Sequence, residues 1–216
     1  FDFTSAILAK SGLSVGWSLQ LPGIVLGIAI VILLYQLTVK LTKNHAAAGI
    51  AIAIFMLSGG LGFVLTPHNA ELTHSYEANI QWVNFIISEM VPQRGILVGL
   101  GAFLVVCLWL LDGQYFAAGI LAGMIPFFHA HTYLVIIAVT GFWYLLRPKR
   151  DWFKFFLTAV LLAAPQFYYF SSQVLGYSSG FFHWLPGWAA HVQNDNWLWF
   201  WIKNIGVMFF LIPVSW

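Results

Sequence analysis

Residues 124–136 read MIPFFHAHTYLVI, and this stretch decides how the chain folds. It places two histidines, His129 and His131, inside an apolar run of about thirty residues. A membrane-spanning helix needs roughly 17–25 apolar residues, so the run is too long for one span. Because Pro126 disrupts a helix and histidine is polar, we predict two short spans joined by a turn at the histidines.

The basic residues on either side test this turn against one long kinked helix. Lys40 and Lys43 lie in one short loop, and the stretch 147–154 carries Arg147, Lys149, Arg150 and Lys154. Two spans around the histidines place both loops on the same side, whereas one long helix separates them. Cytoplasmic loops are rich in Lys and Arg, so the two-span arrangement is favoured and the basic side is predicted to be cytoplasmic.

The composition of the whole chain indicates the same class of protein. Of its 216 residues, 61% are hydrophobic and only 7% are charged, against roughly 25% charged in soluble domains. The apolar runs are continuous rather than alternating, which argues against a β-barrel. The net charge of +2 is too small to indicate a nucleic-acid partner, and the single cysteine, Cys107, excludes a disulfide within the chain.

We therefore predict an all-α fold, a polytopic transmembrane helical bundle of about six or seven spans. The whole of 1–216 is expected to form a single transmembrane domain, a fragment with further spans at both ends. The stretches 66–93 and 171–196 are predicted to be extracytoplasmic loops. The expected spans are about 17–39, 46–65, 95–111, 114–128, 131–146, 154–170 and, interrupted by Lys203 and Asn204, 197–216.

This topology gathers most of the ionisable residues on the extracytoplasmic face. Six of the seven histidines and five of the seven acids fall there, and apart from His129 and His131 none of them helps to choose the topology. The residues are His68, His74, His129, His131, His183 and His191, with Asp2, Glu71, Glu77, Glu89 and Asp195. Chemistry is therefore expected on that face.

The histidine pair permits three interpretations. At a turn, both rings could face one cavity and bind a metal ion, or donate hydrogen bonds to a phosphate or sugar oxygen. They could also cap helix ends among lipid headgroups. Because the short flanking spans place the pair at or below the membrane surface, a phosphate is the favoured ligand.

Arg94 begins the third apolar span, next to Gln93 and shortly after Pro92. A helix N-terminus offers free N–H groups and a positive dipole, and arginine adds bidentate phosphate geometry. Such a combination suits a lipid-linked phosphate, while the alternative is an arginine that anchors the helix among headgroups.

Two outer loops supply further candidates. The stretch 66–93 is long for a connection and contains His68, Glu71 and Glu77. The stretch around Asp195 is dense in tryptophan, which is typical of an interfacial belt and also of sugar binding. At 58–63, SGGLGF is explained by close helix packing without a nucleotide.

The order of these features resembles the middle of polytopic GT-C class glycosyltransferases, including the protein mannosyltransferases and arabinosyltransferases. The stretches that carry the resemblance are FDFTSAILAKSGLS, SGGLGF, VPQRGILVGL and GILAGMIPFFHAHTYLVI. It implies transfer of a sugar from a polyprenyl-phosphate donor, at the extracytoplasmic face of a bacterial or archaeal plasma membrane.

The resemblance also implies roles for individual residues. Its catalytic acid usually lies in the first extracytoplasmic loop, whose end would be Asp2. Glu71 and Glu77 are the other candidate catalytic carboxylates on that face. From the residues themselves we predict that Arg94, His129 and His131 hold the donor phosphate. We expect His68, Gln93 and Asp195 to contribute to substrate binding as well. The expected partners are the lipid-linked donor and membrane lipid. Some such enzymes need a divalent metal, and the sequence leaves this open.

Two other functions remain at this point. A transporter would relay protons or bind a metal through its His and Glu residues, and it predicts ionisable groups near mid-membrane. A membrane scaffold subunit predicts no polar cavity on the outer face. The clustering of ionisable residues at one face favours the enzyme over the transporter.

Overall fold

The computed structural model describes residues 2–61, 84–86, 94–174 and 196–214, and throughout these ranges the regular structure is helical. The helices are α1 (Asp2–Lys10), α2 (Val15–Thr42), α3 (His45–Leu57), α4 (Arg94–Leu111), α5 (Tyr115–Met124), α6 (Pro126–Leu146), α7 (Trp152–Val174), α8 (Trp197–Ile205) and α9 (Met208–Val214). The prediction of an all-α chain is confirmed for this part of the molecule.

Three of the described helices are long and apolar enough to cross a membrane. They are Val15–Thr42, Pro126–Leu146 and the part of α7 from Trp152 to Ser172. Shorter apolar helices cover His45–Leu57, Gly95–Leu111 and Tyr115–Met124. These lengths and compositions indicate a membrane protein.

The chain divides into two compact units. The first contains Phe1–Ala48 and Arg94–Ser178, and the second contains Gly49–Gln93 and Ser179–Trp216. Most of the described residues, and all of the candidate site residues that can be located, belong to the first unit.

In the first unit, α5 and α6 run in opposite directions along α7. Gly119 lies against Phe155 and Gly123 against Ala159, so residue numbers rise together and α5 is parallel to α7. Along α6 the order is reversed, since the ring of Tyr133 lies 5.3 Å from Phe167 and that of Trp143 lies 5.6 Å from Trp152. The chain therefore reverses direction between α5 and α6.

The reversal occurs at His129, where the helical backbone is interrupted. His129 has φ −159° and ψ 92°, which is extended, whereas Ile125 at the end of α5 is still helical. The predicted turn at the histidines is confirmed, and a single helix continuing in one direction is excluded. Pro126 does not itself break the chain direction, because proline is tolerated in the first turn of a helix.

A buried glutamine repairs the hydrogen bonding at this turn. In a regular helix the N–H of Phe127 would donate to the carbonyl of Gly123. Here the N–H of Phe127 donates to Oε1 of Gln166 at 2.9 Å, and Nε2 of Gln166 donates to the carbonyl of Gly123 at 2.6 Å. One side-chain amide thus satisfies two buried backbone groups of the turn.

Replacing Gln166 with leucine is expected to destabilise the hairpin of α5 and α6. The change leaves the N–H of Phe127 and the carbonyl of Gly123 without this partner, at a cost of about 1–3 kcal/mol for each unsatisfied group. Thermal unfolding of the purified protein in detergent measures the loss. Gln20→Leu, on an exposed face of α2, is the matched control, and equal melting temperatures of the two variants would refute this role.

Helices α2 and α4 pack side by side in the same direction. A Cβ on Gly23 would lie 4.0 Å from Cδ1 of Leu97, and at the far end Lys40 forms an ion pair with Asp112. Gly95 lies against His129 and Gly99 against Thr132, so α4 also runs parallel to α6. The C-terminal ends of α2 and α4, where Lys40 and Asp112 lie, are therefore far from the histidine turn. Lys40 and Asp112 therefore lie at the same end of the first unit.

An aromatic cluster lies at the end of α5 and α6 that is opposite the histidine turn. Trp152 is buried, and the rings of Tyr115 and Trp143 lie 5.2 and 5.6 Å from it. Its indole N–H donates to the carbonyl of Arg147 at 3.1 Å, which ties the basic loop 147–151 to the start of α7. The core continues from there through small residues of α5 and α7, among them Ala118, Ala122, Ala159 and Ala163.

The second unit contains a close backbone approach between glycines. Gly206 ends α8 with φ +66°, and a Cβ there would collide with the backbone of Gly59. The N–H of Leu61 donates to the carbonyl of Lys203 at 2.7 Å. Close packing therefore explains the glycine at position 59 of SGGLGF, as predicted. The expected last span is broken at Gly206 rather than at Lys203 and Asn204, which are buried within α8.

Several predicted boundaries shift. The segment predicted at 46–65 forms α3, which ends at Leu57, and the segment predicted at 154–170 forms α7, which covers Trp152–Val174. The predicted loop 171–196 therefore begins with helical residues. The predicted loop 66–93 lies outside the described residues apart from 84–86, where the ring of Phe85 contacts that of Phe55 at 4.5 Å.

Candidate phosphate site at the histidine turn

The predicted site residues fall into three groups. His129 and His131 are described with their side chains, and Asp2 and Arg94 through their backbone positions in α1 and α4. The remaining candidates lie outside the described residues: His68, Glu71, Glu77, Gln93 and Asp195.

The two histidines lie side by side at the turn. Their ring centroids are 5.6 Å apart with a tilt of 50°, and His131 is exposed whereas His129 is half-buried. Nδ1 of His129 lies 2.7 Å from the hydroxyl oxygen of Thr132, which orients the ring of His129. The ring of His131 is therefore open to solvent at the turn, whereas the ring of His129 lies against Thr132 and α4.

The N-terminal part of α4 packs directly on this turn. A Cβ on Gly95 would lie 3.5 Å from Cδ2 of His129 and 3.5 Å from the carbonyl oxygen of Phe128. One turn further, a Cβ on Gly99 would lie 3.3 Å from Cβ of His129 and would collide with Thr132. A Cβ on Gly95 would make ordinary van der Waals contact, so only Gly99 must lack a side chain for α4 to approach the histidines this closely.

This packing brings the start of α4 and the histidine turn together. Arg94 is the first residue of α4 and directly precedes Gly95. The first N–H groups of a helix have no acceptor within the helix, and the helix dipole adds positive potential at that end. The start of α4 and the histidine rings thus supply hydrogen-bond donors to the same region.

Helix α1 reaches the same end of the first unit. Thr4 and Leu8 line a cavity together with Val98 of α4 and Phe128, which precedes His129. Asp2 lies two residues before Thr4, so its backbone is also at this end. Three segments that are far apart in the sequence therefore meet here.

Sequence reasoning missed the residues that hold these segments in place. Gly95 and Gly99 are small residues four positions apart, a pattern that lets helices approach closely. This pattern is visible in the sequence. Thr132, three residues after His129, was also within the quoted stretch. Gln166 gives a weaker signal, a single amide within an apolar run.

The described residues offer the histidine pair without further metal ligands. Within these ranges, no three His, Cys, Asp or Glu side chains lie together as a metal centre would require. A pair of imidazoles beside the first N–H groups of a helix can bind an anion.

Comparison with known proteins adds no family to this description. No protein-family model, curated protein or solved structure matches the chain. The resemblance to GT-C class glycosyltransferases accordingly stays a prediction.

Proposed function

We propose that the chain belongs to a membrane glycosyltransferase that moves a sugar from a polyprenyl-phosphate donor to an acceptor on the extracytoplasmic face. One observation carries the proposal: the start of α4, at Arg94, packs against the turn that presents His129 and His131. This arrangement gathers donors for a phosphate at one end of a bundle of apolar helices.

The proposed membrane arrangement has six or seven spans, with the basic loops in the cytoplasm. The contacts within the first unit support it, because α2, α4 and α6 run in one direction while α5 and α7 run in the other. The end with Lys40, Asp112 and the loop 147–151 would then face the cytoplasm. The histidine turn would face the opposite side, where the acceptor is found.

Arg94 and the two histidines would bind the donor phosphate. A guanidinium pairs with two phosphate oxygens at once, and imidazole N–H groups add single hydrogen bonds. These donors stabilise the transition state more than the bound donor, because negative charge accumulates on the leaving phosphate as the glycosidic bond breaks. Binding and catalysis would therefore use the same groups.

The transfer would proceed by direct displacement. The acceptor hydroxyl oxygen attacks the anomeric carbon, and the bond from that carbon to the phosphate oxygen breaks, with its electron pair leaving on the phosphate. A carboxylate takes the hydroxyl proton as general base. Asp2 is the candidate base whose backbone lies at this end, and Glu71 and Glu77 are the alternatives.

The purified full-length protein in liposomes tests the proposal. We expect it to release polyprenyl phosphate from a polyprenyl-phosphate hexose or pentose when membrane extract supplies the acceptor, as measured by mass spectrometry. Failure to turn over any such donor, together with proton or metal uptake by the liposomes, would instead identify a transporter. Absence of both activities would leave the scaffold function.

Replacing His129 with alanine is expected to slow this release by roughly 10–100-fold. A hydrogen bond to a charged group is worth about 1.5–3 kcal/mol, and each 1.4 kcal/mol of transition-state stabilisation is tenfold in rate. His45→Ala is the matched control, because His45 contacts Tyr35 near the basic loops. Equal rates for the two variants would remove His129 from the site.

A further inference from the structure

The connection between α6 and α7 carries three positive charges within four residues. Residues 147–150 read RPKR, and all four are exposed; we call them the cationic loop. The two helices that the loop joins are each long and apolar enough to cross a membrane. Because the connection is short, it would lie at the membrane surface, at the depth of the lipid headgroups.

Hydrogen bonds hold the backbone of the cationic loop in place. The carbonyl of Arg147 accepts the indole N–H of Trp152 at 3.1 Å. The carbonyl of Lys149 accepts the backbone N–H of Trp152 at 3.3 Å, and that of Arg150 accepts the N–H of Phe153 at 3.1 Å. Since the backbone is already fixed, binding of an anion there would require little ordering of the loop.

The positive charge of the cationic loop is not neutralised by the residues around it that the structure describes. The adjacent Asp151 is paired with Lys154 at 2.7 Å, and Asp112, at the same end of the first unit, is paired with Lys40. None of the three cationic side chains forms an ion pair with a described residue. Charge complementarity therefore favours a headgroup with net negative charge over one that also carries a choline cation.

Exposed apolar side chains border the cationic loop on both sides. Leu145 and Leu146, at the end of α6, are 74% and 62% exposed, and Phe153, at the start of α7, is 70% exposed. A soluble phosphate would leave these side chains uncovered, whereas the acyl chains of a lipid would lie against them. Cations next to apolar side chains thus match a ligand with a charged head and an apolar tail.

We propose that the cationic loop binds the headgroup of an anionic phospholipid, with the acyl chains along the adjoining ends of α6 and α7. The site goes beyond the proposed glycosyltransferase function and does not depend on it. Trp143 contacts Trp152 at this end of α6, whereas His129 lies at the other end. The bound phospholipid would therefore be a different molecule from the polyprenyl-phosphate donor.

Native mass spectrometry of the full-length protein in detergent tests the preference for charge. Phosphatidylglycerol and phosphatidylcholine with identical acyl chains are titrated separately. We expect phosphatidylglycerol to bind at least about ten-fold more tightly, and glycerol phosphate at the same concentration not to displace it. Equal Kd values for the two lipids would overturn the inference, and displacement by glycerol phosphate would replace the lipid with a soluble phosphate.

The double variant Arg147→Gln/Lys149→Gln tests whether the lipid is bound at the loop. One lysine or arginine beside an anionic headgroup contributes about five-fold in affinity, so we expect the Kd for phosphatidylglycerol to rise about 25-fold. The hydrogen bonds of the loop use backbone carbonyls, so the melting temperature without added lipid should not change. Lys10→Gln/Lys43→Gln is the matched control, because both lysines are exposed outside the loop and the net charge changes equally. An equal rise in Kd for the two double variants would refute the assignment.

The lipid site and the glycosyltransferase proposal can fail separately. Phosphatidylglycerol binding that is lost in Arg147→Gln/Lys149→Gln would support the lipid site even in a protein that transfers no sugar. Sugar transfer by a protein that binds the two phospholipids equally would overturn the lipid site alone.

Discussion

Replacing Arg94 with alanine is expected to abolish sugar transfer while leaving expression and folding intact. Arg94 lies at the first position of α4, so its replacement removes no residue from the helix interior. Removing one donor that stabilises developing negative charge typically slows an enzyme by about 10²–10³-fold. The loss of a bidentate guanidinium belongs at the upper end of this range.

The measurement is release of polyprenyl phosphate by the full-length variant, with melting temperature recorded alongside. Arg150→Ala is the matched control, because Arg150 is exposed in the loop at the opposite end of the bundle. Arg94→Lys should retain part of the rate, since lysine keeps the charge and loses the planar fork. Wild-type turnover by Arg94→Ala would end the assignment of Arg94.

Replacing Gly123 with alanine is expected to separate α5 from α7 and lower the stability of the first unit. A Cβ at this position would lie 2.7 Å from Cβ of Leu162 and 2.8 Å from the carbonyl oxygen of Ala159. Gly119, one turn earlier, is equally confined by the carbonyl oxygen of Phe155 at 2.6 Å. Overpacking of this kind costs about 1–3 kcal/mol of stability. The double variant Gly119→Ala/Gly123→Ala should lose more stability than Gly123→Ala alone.

Gly141→Ala is the control with the opposite expected sign. Its Cβ would meet nothing within 4 Å, and alanine is favoured over glycine in a helix by about 1 kcal/mol. Melting temperatures in detergent should fall for Gly123→Ala and hold or rise for Gly141→Ala. If the melting temperature fell equally in both variants, Gly123 would not be needed for the close approach of α5 to α7.

The turn at the histidines was predictable because it depends on simple properties of the chain. The length of the apolar run, Pro126 and the polar histidines required a break, and the basic loops required a reversal. The structure agrees to within a residue, with helical backbone through Phe128 and an extended His129. The repair of the turn by Gln166 was not predictable, because it joins positions 39 residues apart.

The candidate site was predictable in part. Arg94 and the histidines were selected as polar residues at the ends of apolar segments, and the structure brings their backbone positions together. The sequence did not show that Gly99 allows this approach, nor that α1 lies at the same end. Those facts depend on contacts between segments rather than on the character of any one segment.

The sequence by itself determined the class of fold, the position of the turn, and the separation of the basic loops from His129 and His131. Hydropathy and charge are properties of single residues, so they can be added along the chain. Only the tertiary structure decided which helices are neighbours, since that choice depends on the fit of paired surfaces. Gly119 and Gly123 against α7, Gly95 and Gly99 against the turn, and the cavity beside Val98 exist only once those pairs have formed.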